Sequence, residues 1–207
     1  MRKVACVLAL ACAGLTGCAA PHQIVDRDDY LAEGVRSYAG ETRERVIRAA
    51  EAVLKVSDPK DWDFRYSLHG FTGLRRYMVY AVLASAQGRE KWEFLAEPDG
   101  GGVRASVSIS EAGVVSGSSS ATPYEGKMAS VPLYRLFWNR VDYMLGRRAD
   151  WVTCTAAEAE LEKTNTNTIG LSGLCGTTSE GRDAEPPQPM PRRPVPAQAA
   201  PKRKRIT

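Results

Sequence analysis

Five cysteines, two histidines and a scatter of carboxylates are the side chains of this 207-residue chain best equipped for chemistry. Thiolates attack and bind metals, imidazoles move protons near neutral pH, and paired carboxylates bind cations or divide acid and base roles. Spacing decides whether they can cooperate. His22 lies four residues beyond Cys18, and His69 sits in a His69-Gly70 turn where water satisfies the ring. Asp61 and Asp63, two apart, share one face of a strand and could hold a cation weakly, or simply be solvated. Ser57-Asp58-Pro59-Lys60 has the form Ser-x-x-Lys, but a serine nucleophile wants that lysine one helical turn away, and Pro59 breaks the turn. Gly100-Gly101-Gly102 opens a strand, so no helix N-terminus stands behind it to hold a phosphate. A His-Glu-x-x-His stretch, a phosphate-binding loop and a Gly-x-Ser-x-Gly elbow are all missing. The expectation is a non-enzymatic protein with no cofactor and no metal site.

The cysteines carry more information. Arg2 and Lys3 precede an apolar stretch from Val4 to Leu15, about 12 residues and too short to span a bilayer, which is the layout of a secretory signal. The stretch ends in Leu15-Thr16-Gly17-Cys18. These four residues resemble the lipobox of bacterial lipoproteins. The resemblance covers the signal and Cys18 only. It implies cleavage before Cys18, a diacylglycerol on its sulfur and acylation of the new amine. Ala19 follows where an Asp would favour the inner membrane in that class, so the periplasmic face of the outer membrane is the implied address. Several acyl chains hold a protein on a bilayer far better than one.

Removing the signal takes Cys6 and Cys12 with it, and lipidation uses Cys18, leaving Cys154 and Cys175. In an oxidising compartment this pair reads as a disulfide, closing a loop of about 20 residues worth on the order of 3 kcal/mol in the chain-entropy model. A redox pair usually wants Cys-x-x-Cys, and a metal wants more ligands nearby; neither occurs.

The elements that hold these residues follow from hydrophobic period. Val46, Ile47, Ala50, Val53 and Leu54 recur at helical spacing from Thr42 to Val56, and Ser57-Asp58-Pro59 ends the run. The period then becomes two. Trp62, Phe64, Tyr66 and Leu68 alternate with polar residues, followed by strands at about 72–85, 91–97 and 103–110 joined by short turns. Tyr77 to Ala84 is apolar on both parities, which reads as a central strand covered on both faces, or a bulge. A small-residue loop from Val114 to Ser130 precedes a helix carrying Leu133, Leu136, Phe137, Val141, Met144 and Leu145. A third helix starts at Thr155, with Thr155 and Glu158 as a capping box. The expected fold is α+β: a four-stranded antiparallel meander with helices packed on one face. The expected division is a signal over 1–17, a lipidated tether over 18–40, a periplasmic domain over 41–185 and a disordered Pro-rich basic tail over 186–207.

Trp62, Tyr66, Trp92, Phe94, Phe137 and Trp138 form either plain core or a candidate apolar pocket between sheet and helix, as in a carrier of lipid or another apolar ligand. Arg75-Arg76 and Arg147-Arg148 read as solvated surface. The tail ends in Lys202, Arg203, Lys204 and Arg205, candidate contacts to an anionic envelope surface. The whole chain has 28 basic and 24 acidic residues, a net +4, but the bases concentrate at its ends. Residues 18–185 hold 20 bases against 24 acids, a net −4. Nucleic acid therefore falls away as a partner. What remains is a membrane reached through the N-terminal lipid, with an envelope protein or anionic surface as partner.

Overall fold

The computed structural model describes residues 27–117, 120–163, 171, 173–176, 179–182 and 184–191. The chain runs α1 (Arg27–Glu33), β1 (Val35–Ala39), α2 (Arg43–Ser57), β2 (Trp62–Ser67), β3 (Gly70–Ala81), β4 (Ala84–Asp99), β5 (Gly102–Ser116), β6 (Ala121–Lys127), α3 (Val131–Met144) and α4 (Cys154–Lys163). The fold is α+β. Its antiparallel sheet has six strands rather than four, in the order β1-β5-β4-β3-β2, with β6 also pairing β5. β1 takes the first half of one edge of β5, Val35 opposite Ser106, and β6 takes the second half, Tyr124 opposite Gly113. Within this sheet β2 to β5 are consecutive antiparallel neighbours, longer than the alternation alone indicated, and β1 and β6 extend it beyond the expected four strands.

Parity explains the core. Phe71, Trp92, Phe94, Ala96, Val103, Ala105, Val107 and Ile109 fall on one sheet face and are buried. Against them lie Val46, Ala50, Val53 and Leu54 of α2 and Leu133, Phe137, Trp138 and Val141 of α3. Phe137 sits 5.3 Å from Trp92 and 4.9 Å from Trp138, ring centre to ring centre, both within the range in which aromatic pairs attract. α3 starts cleanly because the Ser130 hydroxyl accepts the Leu133 amide at 3.3 Å, with a proline in the first turn where no N–H is needed. α2 stops at Asp58, whose extended backbone leads into Pro59.

Four expectations need correcting. The stretch 114–130 is mostly strand, shared between β5 and β6, because pairing along β5 satisfies its backbone despite its small side chains. α4 begins at Cys154, and its first-turn amide at Ala156 is accepted by the Thr153 hydroxyl at 3.1 Å, not by a Thr155 capping box. Tyr77 to Ala84 is not a strand covered on both faces; it is the protruding end of the β3–β4 hairpin. Arg75 is not surface but fully buried, since it shares parity with Phe71 and Gly73 on the core face. The elements begin at Arg27, inside the stretch read as tether. Met190, in the stretch read as tail, donates its amide to the Met144 carbonyl at 2.9 Å.

Candidate interaction site

β3, β4 and β5 run on together past the helices, paired from Arg75–Glu90–Glu111 outward, and β3 and β4 continue to a two-residue turn at Val82-Leu83. Turns at hairpin tips are ordinarily polar, because nothing covers them. Here the tip is apolar: Tyr80 is 77% exposed, Val82 99% and Leu83 79%, with Met78 and Val79 also exposed below them. An exposed apolar cluster of this kind is a candidate interaction surface.

The hairpin is braced from its core side. Tyr77 and Tyr124 lie over Gly88 and Gly113, where any added Cβ would stand 2.6 Å and 2.5 Å from their hydroxyls. The two hydroxyls touch each other, and both donate to Glu111, Tyr124 at 3.1 Å. Burial and then the Glu111 carboxylate hold the Tyr77 hydroxyl well above the usual tyrosine range, so it remains a donor to Glu111. On the opposite face Arg76 and Arg89 pair directly across β3 and β4, both exposed. With Asp61, Met78, Gln87 and Val114 they line an open groove of about 900 Å³.

Beneath the hairpin the sheet buries charge. Arg75 bonds Asp58 through Nε at 2.8 Å, Glu90 at 3.4 Å and the Ser179 hydroxyl at 3.4 Å, all on buried groups. Glu90 also accepts from the Trp92 indole at 3.4 Å, and Gly173, at φ +87°, leaves room for its carboxylate. A second buried guanidinium, Arg140, donates to the Val152 carbonyl at 3.0 Å and to the Ser57 hydroxyl at 3.3 Å. It lies 4.7 Å from the Trp151 ring centre and contacts the sulfurs of Cys154 and Cys175 at 3.3 and 3.4 Å. Burial pulls its pKa below the ordinary arginine value. These two networks are fully enclosed and bind the disulfide segment to the sheet, a structural task.

Cys154 and Cys175 form the expected disulfide, their Cα atoms 5.4 Å apart. Of the six aromatics named from sequence, Trp92, Phe94, Phe137 and Trp138 are buried together, their rings in mutual contact, and Trp62 meets Trp92 edge-on at 6.1 Å. Tyr66 stands apart, 61% exposed on the edge strand and donating to Glu51 at 2.8 Å. Asp61, Asp63 and His69 are exposed. Cys18 and its lipobox, and Lys202, Arg203, Lys204 and Arg205, lie outside the described residues. Among the described residues no three His, Cys, Asp or Glu side chains cluster as metal ligands, and no helix is long and apolar enough to cross a membrane. Sequence reasoning missed the hairpin tip. The available signal was an apolar run broken by no turn residue, which meets its register partners only if the chain reverses at Val82-Leu83. The chain matches no known protein-family model, no curated protein and no solved structure.

Proposed function

We propose that this chain is a lipoprotein of the bacterial envelope, held on the periplasmic side of the outer membrane by acyl chains on Cys18, and that its α+β domain is a non-enzymatic binding or adaptor module. One observation carries the reading: a short cationic and apolar leader ending in Leu15-Thr16-Gly17-Cys18. Two features support it. The Cys154–Cys175 bond suits an oxidising compartment. The ionisable groups buried in the domain are bonded internally rather than facing a cleft, Arg75 to Asp58 and Glu90, and Arg140 to the Val152 carbonyl and the Ser57 hydroxyl, as expected of a framework. The basic tail ending at Lys202, Arg203, Lys204 and Arg205 adds attraction to anionic envelope groups, about 1 kcal/mol per charge close to a membrane surface.

The test is Cys18→Ser. The variant should leave the membrane fraction, fail to incorporate labelled palmitate and retain the uncleaved leader, whereas unchanged fractionation and labelling would overturn the anchor. Cross-linking of the wild-type protein in intact envelopes should recover a defined envelope component, lost when the domain is unfolded by reduction and heat.

A further inference from the structure

Among the described residues the hairpin tip presents the most exposed cluster of large apolar side chains, and it is joined to a charge feature of matching geometry. Arg76 and Arg89 stand opposite one another in register, four residues below Tyr80 on β3 and four above Ser85 on β4. Like charges directly opposite are unfavourable unless an anion joins them, and among the described residues neither arginine makes an ion pair. Asp61 lines the same groove and leaves it net positive.

We propose that the β3–β4 tip is a membrane-docking element: Tyr80, Val82 and Leu83 enter the headgroup and upper acyl region of a phospholipid bilayer while Arg76 and Arg89 bind anionic headgroups. From Tyr80 to the turn at Val82-Leu83 the hairpin advances roughly 7 Å at about 3.3 Å per residue, within the depth of interfacial insertion. Tyrosine is favoured at that boundary, its ring apolar and its hydroxyl wet. The long arginine side chains reach back toward the phosphates. Insertion stays at the interface, because β3 from Arg76 outward has no strand partner on its β2 side among the described residues, and its backbone N–H groups need water or headgroups rather than hydrocarbon.

The entry point of the chain agrees. Tyr30 of α1 packs edge-on against Tyr134, whose hydroxyl accepts the Ile109 amide at 3.1 Å. Ile109 pairs with Trp92, nine residues from Leu83 along β4, or about 30 Å. The nine residues from Cys18 to Arg27 span at most about 30 Å. A lipid on Cys18 and the hairpin tip can therefore lie in one bilayer face. This support rests on the lipid anchor proposed above; the apolar tip and its arginine pair do not.

The experiment uses the mature full-length protein purified from membranes, its Cys154–Cys175 bond intact and Leu83→Cys carrying an environment-sensitive fluorophore. A second preparation carries the probe at Asp99→Cys, at the opposite end of the sheet. Both are read on phosphatidylcholine vesicles with and without phosphatidylglycerol. The expected result is a blue-shifted Leu83 probe, quenched by lipids brominated on their acyl chains, while the Asp99 probe is quenched by aqueous iodide. Val82→Asp should weaken the shielding at least tenfold. Arg76→Gln with Arg89→Gln should remove its dependence on phosphatidylglycerol, a change that the cationic tail cannot produce at residue 83. Equal iodide quenching at both positions on phosphatidylglycerol vesicles overturns the proposal, as does a tip shielded only by a cross-linked protein. The mass of the purified protein reports lipid on Cys18 separately. A membrane-purified chain whose mass shows no lipid on Cys18 but whose tip inserts would refute the anchor and keep the tip, and a lipidated chain with a water-exposed tip would do the reverse.

Discussion

Replacing Arg75 with Met isolates what the buried ion cluster contributes. Methionine keeps most of the side-chain volume and removes the guanidinium that meets Asp58 at 2.8 Å, Glu90 at 3.4 Å and Ser179 at 3.4 Å. Two carboxylates with no solvent exposure lose that cation, because Asp58 and Glu90 are both 0% exposed. Breaking a buried pair from one side costs about 3–5 kcal/mol, since a buried charge without its counter-ion is worse than no charge. In a domain of this size about 1 kcal/mol moves Tm by roughly 2–4 °C, so the variant should melt about 6–20 °C lower. Thermal and urea unfolding under non-reducing conditions, followed by far-ultraviolet circular dichroism and tryptophan fluorescence, gives the number. Trp92, which donates to Glu90, supplies a local signal. The triple change Arg75→Met, Asp58→Asn, Glu90→Gln removes all three charges together and should recover most of the loss. A single variant within about 1 kcal/mol of wild type, or a triple variant no better than the single one, would refute the reasoning.

Three further outcomes follow from the same coordinates. Phe137→Ala empties the space between Trp92, Phe94 and Trp138 and should cost about 3–5 kcal/mol in urea unfolding, with no change in the Cys154–Cys175 bond. Replacing Cys154 and Cys175 with Ala frees a segment of 21 residues and should cost about 3 kcal/mol, measured against wild type in the absence of reductant. Burial first, and then Asp142 for Tyr38 and Tyr30 for Tyr134, holds these two hydroxyls far above the ordinary tyrosine value, so the folded protein keeps protons that the unfolded chain gives up above about pH 10. The contribution of these two groups to stability should therefore be constant below that pH and fall as pH rises above it. Tyr38→Phe should show a shallower fall in urea midpoints at alkaline pH.

What was legible in the sequence, and what was not, divides along physical lines. β2 to β5 and helices α2 and α3 could be read because Trp92, Phe94, Val107 and Ile109 alternate and Leu133, Phe137 and Val141 recur at helical spacing. β1, with the sequence Val-Arg-Ser-Tyr-Ala, and β6, with a proline and a glycine inside it, have no such pattern; they are strands because β5 offers an edge to pair with. The apolar run 77–84 could not be assigned from period alone, since exposure at a hairpin end and burial in a central strand look the same in one dimension. Arg75 was hidden by its neighbour Arg76: adjacent residues on a strand face opposite ways, so one of the pair lies in the core and the other in water. The disulfide was legible because, once Cys6 and Cys12 are assigned to the proposed leader and Cys18 to the proposed lipid, two cysteines remain.

The edge shared on β5 has a kinetic consequence. β2 to β5 zip through short turns, whereas Val35 must find Ser106, about 70 residues further along the chain. Loop-closure entropy places that step late, after the meander has formed a template. β1, although first to leave the ribosome among the strands, is then the last to dock, and it carries Tyr38 into the core as it does so. Tyr38→Ala should accordingly hasten unfolding while leaving the refolding rate almost unchanged, a split that stopped-flow fluorescence would resolve.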